Sequence, residues 1–232
     1  LGLTRLGLVG NEPLAHPDLD SIIDGALGTG FRKLEVMTTA APLADRERLE
    51  SWRDAGMDGF TIPLFGPDAA THDAITRSPG SFQQTRAVLE RLVASGADVH
   101  VHANVLRQNL ERLDELERLV TEGLGAHFCL IPVRPKAANL PYDALVPSYT
   151  ELIEKLSVRS LVAFPRCVAA RIQGEALPDA AIISDLLKVY VLDQPFVQPA
   201  RCRGCGWRGS CVGTFEAHLA IHGEEELRAV GR

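Results

Sequence analysis

The sequence predicts an α/β fold: a partial (β/α)6 TIM-like barrel with a small Cys-rich domain at its C-terminal end. Three observations lead there. Short apolar runs alternate with segments of helical periodicity, the pattern of a parallel sheet with helices outside it. The loops that follow the strands carry Gly, Pro and polar residues, as at the ligand-binding end of a barrel. After residue 164 the composition shifts toward Cys, Arg and Gly, which places a boundary near 160 and divides the chain into 1–160 and 161–232. A doubly wound open sheet produces the same alternation, so the pattern leaves it open.

Strands are expected at residues 3–9, 32–37, 59–62, 99–106, 126–133 and 160–164, each a short, mostly apolar run. Between them, apolar residues recur at helical spacing over 19–27, 45–55, 82–95, 110–122 and 149–156. The punctuation agrees. Pro17 and Asp18 open the first helix and Gly30 closes it, Gly56 follows the second, and Ser81 is the expected N-cap of the third, with Gly96 its stop. Residues 132–147 read as a Pro-containing loop, and no internal repeat or low-complexity segment interrupts the order.

The 232 residues are 46% hydrophobic and 23% charged, the composition of a globular protein rather than a disordered chain. No apolar run reaches the roughly 18–20 residues of a membrane span. The net charge of −6 supplies no basic field for phosphates, so nucleic acid is not the expected partner. The chain starts at Leu1 without a signal-peptide pattern and reads as part of something longer. Its five cysteines, an odd number with three inside ten residues, fit a metal site in a reducing cytoplasm better than a secreted disulfide framework.

Cys202, Cys205 and Cys211 form C-x2-C-x5-C, and Cys167 stands 35 residues upstream. The turn inside C-x2-C aims two thiolates at one centre, and Gly204, Gly206 and Gly209 let backbone amides approach the sulfurs. Four thiolates close a coordination shell, so the site is structural or electron-carrying. Spacing alone leaves structural zinc, an iron-sulfur cluster and unligated cysteines open. Cys129, inside the apolar run 128–131, reads as a buried inert thiol.

The loop after the first strand, Gly10-Asn11-Glu12-Pro13-Leu14 followed by His16-Pro17-Asp18-Leu19, resembles the GGEPL element of radical S-adenosylmethionine (radical SAM) enzymes. The likeness continues in order along the chain. Met37 to Leu43 occupies the place of the family's TNG turn, and His72-Asp73 through Arg77 to Gly80-Ser81-Phe82 is similar to the HD…R..GSF segment of members with a C-terminal cluster domain. Val105 to Asn109 matches a strand end with its Asn, and the C-x2-C-x5-C resembles the core of SPASM and twitch auxiliary-cluster domains, with Gly213 and a helix up to Gly223 after it. There are departures: Asn11 stands for a second Gly, Thr39-Ala40 for Asn-Gly, Pro63 for Ser and Phe215 for a further Cys. No C-x3-C-x2-C loop, which in the family holds the catalytic cluster, occurs in the chain.

The resemblance implies a radical SAM core over 1–160, lacking its first strand and cluster loop, and an auxiliary-cluster domain over 161–232. It implies one auxiliary [4Fe-4S] cluster on Cys167, Cys202, Cys205 and Cys211. S-adenosylmethionine would contact Gly10, Asn11, Glu12, Thr38, Thr39 and Arg107, and a second [4Fe-4S] cluster belongs to the intact protein. The parent enzyme would form a 5′-deoxyadenosyl radical and modify a peptide or small molecule, with flavodoxin or ferredoxin as electron donor; the chain alone is expected to be inactive. A non-catalytic barrel scaffold with structural zinc is the alternative. Arg107 reads equally as a surface salt bridge. His100, His102 and Asn104 share one strand face, pointing into the barrel if the valines meet the helices, where satisfied interior histidines are the plainer reading. His218 and His222, at i, i+4, read as an exposed helix face.

Overall fold

The computed structural model describes residues 4–135, 141–158, 160–174 and 196–231. Residue 3 and the loop residues 136–140 lie outside the described residues. The barrel half runs β1 (Arg5–Leu8), α1 (Leu19–Gly28), β2 (Lys33–Met37), α2 (Arg46–Asp54), β3 (Met57–Pro63), α3 (Ala69–Thr76), α4 (Ser81–Ala94), β4 (Asp98–Asn104), α5 (Leu113–Arg118) and β5 (His127–Ile131). There follow α6 (Tyr142–Leu145), α7 (Tyr149–Lys155), α8 (Arg166–Gln173), β6 (Phe196–Val197), β7 (Thr214–Phe215) and α9 (Glu216–His222).

The five strands pair in the order β1-β2-β3-β4-β5, every pair parallel. That order decides between the two architectures left open by the alternation. A doubly wound sheet reverses its strand order at a switch point, whereas here each strand adds beside its predecessor, as in a barrel wall. The sixth expected strand, 160–164, is reduced to one parallel bridge between Leu161 and Leu130. Ala163 takes a left-handed φ of 60° and Pro165 has no amide to donate, so the pairing stops there.

Alternation sets the two faces of the sheet. Leu34, Val36, Phe60, Ile62, Val99, Val101, Phe128 and Leu130 point outward into one core with Ile23, Trp52, Leu89 and Leu92 of the helices. Each such fully buried side chain contributes about 1.5–3 kcal/mol. The opposite face carries Met37, Cys129 and Ile131, which pack with Val162 and Phe196 inside the curve of the wall. His100, His102 and Asn104 therefore lie on the inner face.

The helices start and stop largely where their punctuation puts them, with Gly30, Gly56 and Gly96 at positive φ. Ser81 is not the N-cap of α4; Gly80 is, and the Ser81 hydroxyl bonds instead to Asp73. The 110–122 segment divides into a 3-10 turn, α5 and a π-helical stretch Leu119–Leu124.

The C-terminal segment is anchored on α7. A capping box of Ser148 and Glu151 opens that helix, and Glu226 from the chain's end accepts from the Tyr149 and Thr150 amides at 3.1 and 2.8 Å. The Tyr149 ring stacks on His218 at 3.8 Å, and its hydroxyl bonds to Thr214 at 2.6 Å. His218 is thus buried against Glu226 rather than on an exposed face, and His222 packs beside it at 4.6 Å.

Candidate functional site

Two groups of residues draw attention: the loops at the C-terminal ends of β1 and β2, and the cysteines. After β1 the chain turns at Gly10, whose φ of 144° suits glycine, and Glu12 then caps a 3-10 turn Pro13–Ala15. The Glu12 carboxylate reaches the end of β2. One oxygen accepts from the Thr38 hydroxyl at 2.7 Å and the Leu14 amide at 3.3 Å; the other accepts from the Thr39 amide at 2.9 Å and the Thr39 hydroxyl at 2.7 Å. Glu12 and Thr38-Thr39, both expected to contact the same cofactor, are thus brought together. With four donors on it the carboxylate acts as a strut, and the exposed backbone of Gly10 and Asn11 is what faces outward.

The strand ends of β3 and β4 are joined in the same way. Buried Asn109 donates to the Phe65 and Asn104 carbonyls and accepts from the Leu106 amide, all at 2.9–3.0 Å. His72 accepts from the Phe65 amide at 3.0 Å and lies between the rings of Phe65 and Phe82, and burial lowers its pKa. Asp73 gathers the Gly80 amide at 2.7 Å and the Phe82 amide at 2.8 Å. The His-Asp and Gly-Ser-Phe residues are a clamp on the start of α4. Arg107 pairs with Glu151 at 2.8 Å, and its amide donates to the Leu145 carbonyl.

The four cysteines line one small pocket together with Trp207, Arg208 and Leu227. Cys167 sits in the first turn of α8, where the helix N-terminus favours negative charge. Cys202 ends a 3-10 turn, Cys205 follows Gly204 at φ 80°, and Cys211 follows the turn Arg208–Ser210. Backbone amides face the sulfurs: Arg166 donates to Cys211 at 3.3 Å, Val230 to Cys205 at 3.5 Å, and the Arg228 amide to Cys167. The Arg166 guanidinium lies over Trp207 at 5.4 Å and donates to Ser210. Burial pushes the Cys167 and Cys202 thiols up, and repulsion from the neighbouring sulfurs adds to it. Both are therefore held as neutral thiols, which a bound metal would convert to thiolates.

Cys129 is in another place, on the inner face of β5, with its pKa raised to about 12 by burial.

Residues 1–120, just over half of the chain, match the Radical SAM superfamily. The protein belongs to that superfamily. It is 31% identical over 234 residues to an AdoMet-dependent heme synthase of Oleidesulfovibrio alaskensis, covering 94% of this chain and 56% of the relative. To the AdoMet-dependent heme synthase of Methanosarcina barkeri it is 33% identical over 136 residues, covering 57% of this chain and 38% of the relative. The chain thus spans between about a third and a little over half of these relatives. Among solved structures, Streptococcus suis SuiB bound to S-adenosylmethionine superposes over 97% of this chain and 65% of its own, with TM-score 0.53 and 14% identity, a likeness of fold.

In this radical SAM chain, sequence spacing signalled three cysteines and the fold brings Cys167 to them. The amides of Arg228 and Val230 carried no such signal, since a backbone donor has no residue signature. Trp207 and Leu227, which wall the cavity, stand apart in the sequence, and only the return of the chain's end joins them.

Proposed function

We propose that the chain is the cofactor-binding barrel portion and SPASM- or twitch-like auxiliary domain of a radical SAM enzyme, with one auxiliary [4Fe-4S] cluster held by Cys167, Cys202, Cys205 and Cys211. The convergence of four thiols and their amide donors on one cavity carries the reading. Arg166 and Arg208 line the same pocket and would offset thiolate charge. In the intact enzyme a second reduced [4Fe-4S] cluster, whose C-x3-C-x2-C loop is not among residues 1–232, would with S-adenosylmethionine supply the 5′-deoxyadenosyl radical that alters a peptide or small molecule.

This chain's own residues do the positioning. Glu12 ties the β1 and β2 loops through Thr38 and Thr39, so that the Gly10 and Asn11 backbone presents fixed carbonyls and amides to the methionine ammonium. Arg107, held by Glu151, stands at the end of β4 as the candidate partner of the methionine carboxylate. Asn109 and His72 fix the neighbouring loops, which limits water entry to that end of the wall. The domain division at 160, a cytoplasmic setting and a flavodoxin or ferredoxin donor belong to the same proposal. With no C-x3-C-x2-C in residues 1–232, the chain alone binds but does not cleave S-adenosylmethionine. No helix among the described residues is long and apolar enough to cross a membrane.

Anaerobic reconstitution with iron and sulfide tests the reading. About four iron and four sulfide per chain are expected, lost in Cys205→Ala and kept in Cys129→Ala. Stoichiometric zinc without iron, or iron retained in Cys205→Ala, overturns it.

A further inference from the structure

The inner face of β4 begins with a polar group that the cofactor reading leaves unused. Asp98 and His100 are two residues apart on that face, and the parallel register sets His127 of β5 directly beside His100. The Asp98 carboxylate lies 3.0 Å from His100 Nε2, the two imidazoles stack at 4.7 Å with 23° between planes, and one donor atom from each residue falls within 4.8 Å of the other two. We propose that Asp98, His100 and His127 bind one zinc-class divalent cation at the N-terminal mouth of the barrel wall, a site separate from the cysteine cavity.

The ligand set selects the ion. Two imidazoles and one carboxylate suit zinc and its borderline neighbours; magnesium and calcium prefer oxygen shells. Metal bonds of 2.0–2.2 Å bring tetrahedral donors about 3.4 Å apart. Asp98 and His100 are already that close, and the His127 donor atom, within 4.8 Å of both, has to close in by side-chain rotation. The Asp98 side chain is 42% exposed, that of His100 12%, and His127 is exposed, which gives the ion an entry path and leaves open positions to water.

The charge balance also favours a cation. Glu35, Gly59 and Asp98 stand in one row across β2, β3 and β4. Glu35 lies over Gly59, where a Cβ would come within 2.6 Å of it, and is matched by Arg5 at 3.1 Å. Asp98 lies against the His100 imidazole at 3.0 Å, and its carboxylate brings negative charge to the ligand set. Seven residues of strand, roughly 20 Å, separate this end of β4 from the end that joins the cofactor loops. The cation therefore clips β4 to β5 and takes no part in radical formation.

The test uses the full chain, with its cysteines loaded with iron and sulfide, dialysed anaerobically against zinc chloride. One zinc per chain above the cluster content is expected, with a rise in melting temperature. His127→Ala, at an exposed position, keeps its iron but binds zinc more than about tenfold more weakly and loses the zinc-dependent rise. Asp98→Asn weakens binding in the same direction. Cobalt in place of zinc gives visible d–d absorption without thiolate charge transfer. Zinc uptake unchanged in His127→Ala, no uptake beyond the cluster, or thiolate charge transfer with cobalt each overturns the site.

Discussion

The strand-end loops and the cysteine cavity are both polar, yet they are completed differently. At the end of β1, Glu12 is met by four donors from its own chain, and Asn109 and Asp73 are served in the same manner. The loops are self-sufficient, and a ligand arriving there meets a shape already made. Around the cysteines, burial and neighbouring sulfurs raise the Cys167 and Cys202 thiols. Those groups are held as neutral thiols, and a bound metal centre would be needed to make them thiolates. The difference teaches that the first region owes its order to folding, while the second is where the proposed metal centre would add order.

The sharpest way to break that comparison is to compare the chain with and without the proposed metal centre. Binding free energy that exists only in the folded form is folding free energy. Without iron, amide exchange is expected to quicken over α8 and residues 196–231 by a factor corresponding to roughly 5 kcal/mol or more, while β2 to β4 exchange as before. Equal protection with and without iron would show that the C-terminal segment is as self-sufficient as the barrel.

A second measurement separates metal from packing as the anchor of that segment. Burial, the largest cause, lowers His218 to about 4, against some help from Glu226 toward the charged form. The unfolded chain therefore takes a proton first, near pH 6.5. Stability from this group is fully present above that pH and is lost as pH falls toward 4, by about 3 kcal/mol in all. In His218→Gln the unfolding free energy is expected to be lower at neutral pH and to fall less between pH 6.5 and 4. Parallel pH curves for the two proteins would refute the assignment.

How much of this was readable from the residues differs between the regions for the same reason. Alternation of apolar runs located five strands, because burial on both faces leaves a plain signature; it did not order them, since pairing is not a local property. The sixth strand misled because 160–164 is apolar enough for a strand, while Ala163 and Pro165 end its pairing after one bridge. α3 escaped notice: its eight residues carry His72 and Asp73, which act through Phe65, Gly80 and Phe82 rather than through an apolar stripe. The C-x2-C-x5-C was legible as ligands, but the sulfur-facing amides and the Asp98, His100, His127 group depend on register and on the return of the chain's end.

Glu12→Ala tests the self-sufficient region directly. It strips partners from two hydroxyls and two amides; Leu14 and Thr38 are buried but Thr39 is exposed, so water replaces part of the loss. A destabilisation of about 2 kcal/mol is expected, read by chemical denaturation, with iron content unchanged. If iron is lost with it, the two regions are coupled and the contrast between them fails.

The smallest effect comes from backbone strain within these loops. Ala40 and Arg77 both adopt left-handed conformations, at φ 70° and 55°, which cost a non-glycine residue about 1–2 kcal/mol. Glycine relieves that strain but adds about 0.5–1 kcal/mol of unfolded-chain entropy. At Arg77, exposed just past the end of α3, little else changes, so Arg77→Gly is expected to stabilise by roughly 0.5–1 kcal/mol. Ala40 is fully buried, and losing its methyl forfeits a further amount of about 0.8 kcal/mol, which cancels the gain. Thermal melts of the two variants should therefore move apart, Arg77→Gly upward and Ala40→Gly scarcely at all. An equal rise in both would mean that the Ala40 methyl contributes nothing to the packing beneath the Thr38-Thr39 turn, and that the rigidity of the turn rests on Glu12 alone.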